Sequence, residues 1–214
     1  TDISTTSFYA SHVITAGGCG GMVMFNDEEH LKRALMFRDW GRIGDNIEEP
    51  SERFNHSVDG IPYDWKFLYG VAGYHLKACE MNAAFGLVQL DKLEGFLRKR
   101  RENVERYIEN LKDCSYYTLP NDSQIPNWLA IPLQCPDRLE IVNFLEKNDV
   151  QTRVTFAGNI TRHPAFREYL GEFENADKIM KDGFLLGAHH GLDIEDVDRV
   201  CNLLKTFAAT KVNA

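Results

Sequence analysis

No stretch of this 214-residue sequence approaches the roughly 18 consecutive apolar residues that a membrane-spanning helix needs. Positive charge is outnumbered: 24 Lys and Arg stand against 32 Asp and Glu, a formal net charge of -8. A general nucleic-acid binder needs the reverse, a basic face that neutralises phosphates, although a pocket for a small anion can still be locally basic. Cysteine is sparse, and Cys19, Cys79, Cys114, Cys135 and Cys201 make no CxxC and no zinc-type spacing. They read as reduced thiols in a cytoplasmic protein. His189-His190 has the look of a metal pair but lacks an evident third ligand, so no metal site is assigned. Residues 1–11 are polar and carry no basic leader, which gives no sign of a signal peptide. Internal repeats are lacking as well. The chain also lacks an initiator Met, and its first residues already read as the approach to a strand; a missing N-terminal portion is therefore expected.

The 43% hydrophobic content suffices for a sizeable core. Residues 1–26 read as two short strands about a glycine turn, and Asn26-Asp27 as the cap of a helix over 28–37. Residues 38–72 show no period and read as a long loop, which inside a domain is usually functional or mobile. Residues 78–112 read as a long helix with Leu87, Leu90, Leu93 and Leu97 on its apolar face. The basic run Arg98-Lys99-Arg100-Arg101 falls mostly off that face and reads as solvated. Beyond this helix strands and helices alternate. Strands are expected at 116–118, 128–131, 152–154 and 184–186, and helices at 137–147, 175–182 and 194–208. The fold class is α/β, divided into 1–112 and 113–214.

Chemistry-bearing residues concentrate near the start. Ser7-Phe8-Tyr9-Ala10-Ser11-His12 is followed by Ile14-Thr15-Ala16-Gly17-Gly18-Cys19-Gly20-Gly21. Alone, the glycine run is a weak signal. It is no Walker loop, because no GK[ST] follows, and no dinucleotide fingerprint, because a strand rather than a helix follows. A plain hairpin and a structural His12 are what composition alone favours.

This segment nevertheless resembles the cofactor-lysine segment of the DegT/DnrJ/EryC1/StrS family of sugar aminotransferases, roughly S-F-[YFS]-x-x-K-x-[LI]-[TG]-x-G-[ED]-G-G. The lysine of the pattern falls on His12, its phosphate-contacting serine on Ser7, and Cys19 replaces the usual acid. Gly73-Tyr74-His75-Leu76-Lys77 with Glu80-Met81-Asn82-Ala83-Ala84-Phe85-Gly86 is similar to a second family segment. Gln151-Thr152-Arg153 with Phe156-Ala157-Gly158-Asn159-Ile160-Thr161-Arg162-His163-Pro164 resembles the deoxysugar 3-dehydratase branch. The matches run across nearly the whole chain in family order.

The resemblance implies the C-terminal part of a fold-type-I pyridoxal phosphate-dependent transferase: the end of a large domain over 1–112, with a small α/β domain over 113–214. It implies pyridoxal or pyridoxamine phosphate as cofactor. Lysine tethers that cofactor covalently, whereas imidazole forms no such stable link but remains a good general base near neutrality. His12 is then the catalytic base for C3 deoxygenation of a nucleotide-linked 4-keto-6-deoxy sugar. Ser7 and His75 are implied cofactor contacts, His75 standing where the family usually has asparagine. Arg42, Arg153, Asn159 and Arg162 are implied substrate contacts; a surface salt bridge competes for Arg42 and Arg153 and a turn-stabilising role for Asn159. One subtype of the branch holds an iron–sulfur cluster on closely spaced cysteines. The loop after Arg42, residues 43–49, contains no cysteine, so no cluster is expected and glutamate is the implied amino donor. A homodimer is the implied assembly. The phosphate-gripping turn and the aspartate that holds the pyridine nitrogen would lie upstream of residue 1, so this chain alone is expected to be inactive.

Overall fold

The computed structural model describes residues 1–44, 48–121 and 128–212. It divides into two compact units, Thr1–Asp91 and Lys92–Ala214. Residues 45–47 of the cysteine-free loop lie outside the described residues.

In the first unit β1 (Ile3–Ser7) pairs antiparallel with β2 (Gly21–Phe25), from Ile3 opposite Phe25 to Ser7 opposite Gly21. Helix α1 (Glu28–Arg38) starts where the Asp27 carboxylate accepts the amides of Glu29 (2.8 Å) and His30 (3.0 Å). These are two of the four amides that a helix start leaves unpaired. The segment 38–72 departs from the expected loop. It holds a short helix α2 (Pro50–Arg53) and a hairpin of β3 (His56–Val58) and β4 (Ile61–Tyr63), followed by a 3₁₀ turn at Trp65–Phe67. Each element is three or four residues long, too short to show a period. The hairpin turns at Asp59-Gly60, both left-handed with φ of 52° and 80°, as the two-residue hairpin loop of an Asp-Gly pair requires. Asp64 caps the 3₁₀ turn by accepting the Lys66 amide (3.0 Å) and pairs with Arg53, whose hydrogen bonds hold its carboxyl below the usual range.

Helix α3 (Glu80–Leu111) runs through both units. Its second half is core-forming: Val104, Tyr107 and Leu111 are buried. This is why the second unit begins at Lys92 rather than near 113. Two expectations fail here. Leu87 is 64% exposed and Leu90 is also open, so the first half of the apolar stripe is uncovered. Arg100, read as solvated, is 2% exposed. Its Nη1 donates to the carbonyls of Leu129 (3.1 Å) and Trp128 (3.3 Å), and burial lowers its pKa. A long side chain can be buried where its head finds backbone acceptors.

The second unit is built on a three-stranded antiparallel sheet in the order β5 (Ala130–Gln134), β7 (Gly183–Gly187), β6 (Thr152–Val154). Helices α4 (Arg138–Glu146), α5 (Glu174–Asp182) and α6 (Ile194–Val212) complete it. One face of the sheet is core: Ile131, Leu133, Phe184 and Leu186 pack with Tyr107, Leu111, Ile141, Leu145, Val197 and Leu204. Residues 116–118 form no strand; only Thr118 pairs, with Gln134. Tyr117 is instead drawn into the core, its hydroxyl donating to the Leu204 carbonyl at 2.8 Å. Among the described residues no helix is long and apolar enough to cross a membrane.

Candidate active site

The strand pairing of β1 and β2 decides where Ser7 and His12 go. The chain leaves β1 at Ser7, folds back through a turn closed by the His12 amide on the Tyr9 carbonyl (3.0 Å), and returns along Phe8. The Ala16 amide donates to Phe8 O (3.2 Å), and the Phe8 amide to Gly20 O (3.0 Å). Thr15 clamps this loop: its hydroxyl donates to Phe8 O (2.9 Å) and accepts the Gly18 amide (2.8 Å). Gly17, Gly18 and Gly20 have φ of 70°, 95° and 100°, conformations that glycine adopts without penalty.

Within the turn His12 Nδ1 donates to the Ser7 carbonyl at 3.0 Å. A carbonyl only accepts, so Nδ1 carries the hydrogen and the neutral ring keeps its lone pair on Nε2. The Ser7 hydroxyl oxygen accepts the Tyr9 amide (3.2 Å), an arrangement that leaves its proton to be donated elsewhere. These residues suit a phosphorylated pyridine cofactor held without a covalent tether: a hydroxyl donor for phosphate and a half-exposed imidazole with an available base nitrogen.

Asn82, near the start of α3, is a member of this site that sequence reasoning passed over. Its Nδ2 donates to the buried Ala16 carbonyl at 2.6 Å and lies 3.6 Å from Cys19 Sγ. A Cβ on Gly17 would stand 2.9 Å from that Nδ2. In the sequence the residue stands inside the second family-like segment with no role assigned to it; its span of 66 positions to Ala16 is a tertiary fact.

Arg42 and His75 come together on a second turn. Trp40 is left-handed (φ 57°) and its ring stacks on His75, centroids 4.4 Å apart. The Arg42 guanidinium lies 4.9 Å from the Trp40 ring and 5.5 Å from the Phe67 ring, distances at which a cation is held by the ring face. Backbone hydrogen bonds from Trp40 N to Tyr74 O and from Tyr74 N to Phe37 O, both 2.8 Å, fix the two strands of chain. Gly41 makes this approach possible: at φ 92°, a Cβ there would sit 1.8 Å from the Val71 carbonyl oxygen. Asp39, beneath, is buried and ion-paired to Lys77 at 3.2 Å.

Arg153, Asn159 and Arg162 belong to the second unit. Arg153 is exposed at the middle of β6, with its Nη1 on the Thr152 carbonyl (2.6 Å). Asn159 is buried and its amide is fully engaged. Oδ1 accepts the amide (3.1 Å) and hydroxyl (2.6 Å) of Thr161; Nδ2 donates to the Gly171 carbonyl (3.0 Å) and to Asp177 (2.9 Å). Of its two expected roles, loop-holding is the one these contacts serve. Arg162 pairs with the same Asp177. The Arg162 guanidinium first, then Asn159, hold that carboxyl well below the usual carboxylate range. Among the described residues His189 and His190 join no group of three or more His, Cys, Asp or Glu placed to hold a metal ion. The His190 ring stacks on Phe96, centroids 3.6 Å apart.

Among curated relatives, the chain is 35% identical to the lipopolysaccharide biosynthesis protein RfbH of Salmonella typhimurium, over 96% of this chain and 51% of that protein. It is 33% identical to the dTDP-4-dehydro-2,6-dideoxy-D-glucose 3-dehydratase of Saccharopolyspora spinosa, over 97% of this chain and 48% of that one. The chain thus spans about half the length of these relatives. Its fold matches that of an E. coli GDP-4-keto-6-deoxy-D-mannose-3-dehydratase solved with bound hydrated pyridoxal phosphate, with a TM-score of 0.81 at 22% identity, covering 95% of this chain and 54% of that one. A family model for the DegT/DnrJ/EryC1/StrS aminotransferases matches residues 1–205, and the chain belongs to that family.

Proposed function

We propose that the whole protein is a pyridoxamine phosphate-dependent 3-dehydratase acting on a nucleotide-linked 4-keto-6-deoxy sugar, with glutamate as amino donor and a homodimer as working assembly. The observation that supports this reading is the Nδ1 bond of His12 to Ser7 O, which leaves Nε2 as the base on the residue that, by the resemblance above, stands at the family's lysine position. The bound cofactor would supply an acidic C–H on its own amine-bearing carbon, and the electron pair released there would expel the C3 hydroxyl of the sugar. His12 Nε2 takes that proton, and Nδ1 keeps its hydrogen on Ser7 O throughout, so the ring need not turn. Ser7 donates its hydroxyl proton toward the cofactor phosphate. Arg42, restrained on two aromatic rings, and Arg153, exposed on β6, offer guanidinium forks for carboxylate or phosphate. Amine transfer, the other chemistry of this family, uses lysine as tether and proton carrier, and His12 disfavours it.

The test supplies the whole protein with GDP-4-keto-6-deoxymannose, pyridoxal phosphate and glutamate and weighs the product. A sugar lacking one oxygen, with 2-oxoglutarate released, is the expected result. An amino sugar would return the protein to the transferases. Borohydride added to the holoenzyme separates the two again, because a lysine-tethered cofactor becomes covalently attached and a His12 enzyme stays unlabelled.

A further inference from the structure

Phe156 is held in a conformation that bulky side chains avoid, and its ring is not spent on packing. Its φ is 48° and it is 72% exposed. The bend is imposed from both sides. The Phe156 amide donates back to the Val154 carbonyl (2.7 Å), and His163 Nε2 hydrogen-bonds the Ala157 carbonyl (2.9 Å). Gly158 (φ 57°) lies so close to α5 that a Cβ there would meet Met180 Cβ at 2.4 Å. Strain kept without burial in return points to a role for the exposed group.

Beside it is a cleft of about 250 Å³ on the sheet face opposite the core, to which Pro132, Leu185, Trp128 and Phe156 all contribute. Pro132 and Arg153 are both register partners of Leu185, one on each side, and directly opposed residues share a face. Arg153 therefore stands in the same cross-strand row as Pro132 and Leu185. Trp128 is steadied from below, because its carbonyl is an acceptor for buried Arg100. Two side chains of the lining can hydrogen-bond, Trp128 through its indole N–H and Thr155, whose hydroxyl is buried near Gly183, where a Cβ would stand 2.7 Å away.

We infer that this cleft takes the flat base of a nucleoside diphosphate, stacked on Phe156 and Trp128, with Arg153 meeting its phosphates. Aromatic faces stack any base, and a guanidinium fork fits phosphate. With the Trp128 indole N–H beside a buried Thr155 hydroxyl as the lining's polar side-chain groups, the base edge is read weakly, so GDP, CDP and dTDP bind within a few-fold of one another. The inference rests on the nucleotide-sugar reading above and names the part of the chain that holds the nucleotide.

Titration calorimetry on the whole protein with GDP and with inorganic pyrophosphate tests it, using Phe156→Gly and Phe156→Tyr. Phe156→Gly should weaken GDP about tenfold, the range of one lost base stack, and leave pyrophosphate unchanged; Phe156→Tyr should keep GDP binding. Because glycine takes this φ freely, the melting temperature of Phe156→Gly should hold or rise, whereas a packing role would lower it together with affinity. Unchanged GDP binding in Phe156→Gly, a fall in its melting temperature, or pyrophosphate bound as tightly as GDP by the unaltered protein would overturn the inference. Dehydration with an unaltered KM in Phe156→Gly sinks the base subsite alone. GDP binding that depends on Phe156 in a protein that dehydrates nothing sinks the proposed reaction alone.

Discussion

The Nδ1 bond of His12 to its own strand's carbonyl makes this side chain a base with a fixed tautomer. Replacing it by asparagine removes the imidazole base of that turn; His12→Asn should lower turnover of the whole protein by about 10²–10⁴, with cofactor absorbance showing binding retained. Asn82 acts on the same turn from outside. Its loss in Asn82→Ala leaves the buried Ala16 carbonyl without its 2.6 Å donor, a cost of about 1–3 kcal/mol. Faster hydrogen exchange at Gly18 and Gly20, with α1 unaffected, is the expected signature. Asn159 has the reverse profile, holding a loop rather than facing a ligand. Asn159→Asp loses the donor to Gly171 and places a second carboxylate against Asp177. It should therefore destabilise more than Asn159→Ala near pH 7 and recover as the solution is acidified, which thermal melts at two pH values would show.

At the level of elements, glycine and one shared carboxylate do the joining. Gly41→Ala puts a methyl group 1.8 Å from Val71 O at a left-handed φ. The chain must separate there, so Trp40 would leave His75 and Arg42 would lose its ring contacts. A loss of at least about 2 kcal/mol, with a changed Trp40 emission, is expected. Helices α3 and α6 are tied through Asp198, which accepts Arg106 Nε (2.6 Å), Arg106 Nη2 (2.7 Å) and Asn110 Nδ2 (2.7 Å). The Arg106 hydrogen bond is the main cause of its lowered pKa. A carboxylate lowered in the folded state stabilises above its ordinary pKa and ceases to do so as pH falls through the folded value. Asp198→Ala should accordingly lower the melting temperature at neutral pH, and progressively less in acid.

Over the whole molecule the core is unevenly shared. Among the described residues Ala16 is the one buried apolar residue of the first unit; the rest of the buried apolar set belongs to the second. Hydrogen exchange on this chain should find its slowest amides in β5, β7 and α6. Phe184→Ala, at a fully buried position, should cost about 3–5 kcal/mol. The second unit also carries a pH response. Burial first, then the Arg100 guanidinium, hold both His190 and His189 below the ordinary histidine pKa; His189 adds to the lowering at His190, and Asp196 partly opposes it at His189. The folded state thus prefers neutral His190, and its contribution is complete above about pH 6.5 and declines below. Melting temperature should fall as the pH drops below about 6.5, and His190→Gln should flatten that fall.

Local signals were strong enough in the sequence to set the hairpin about the glycines, the Asp27 cap, α3 to within two residues of each end, and β6, β7 and α6. Each depends on period, capping or φ preference, which neighbours in the chain decide. The motif around His12 likewise pointed to its family without any coordinates. Three kinds of fact needed the tertiary structure. Short elements such as β3 and β4 carry too few residues to show a period and form because Asp59-Gly60 turns back. Burial is decided by what a helix face meets: Arg100 goes inside because the Trp128 and Leu129 carbonyls await it, while Leu87 and Leu90 remain open. The partners of polar groups are set by folding across long separations, as with Asn82 and Ala16 or Asn159 and Asp177. Residue types and their spacing determined which chemistry this protein could hold; long-range contacts decided which atoms are committed to holding the site and which are left to act.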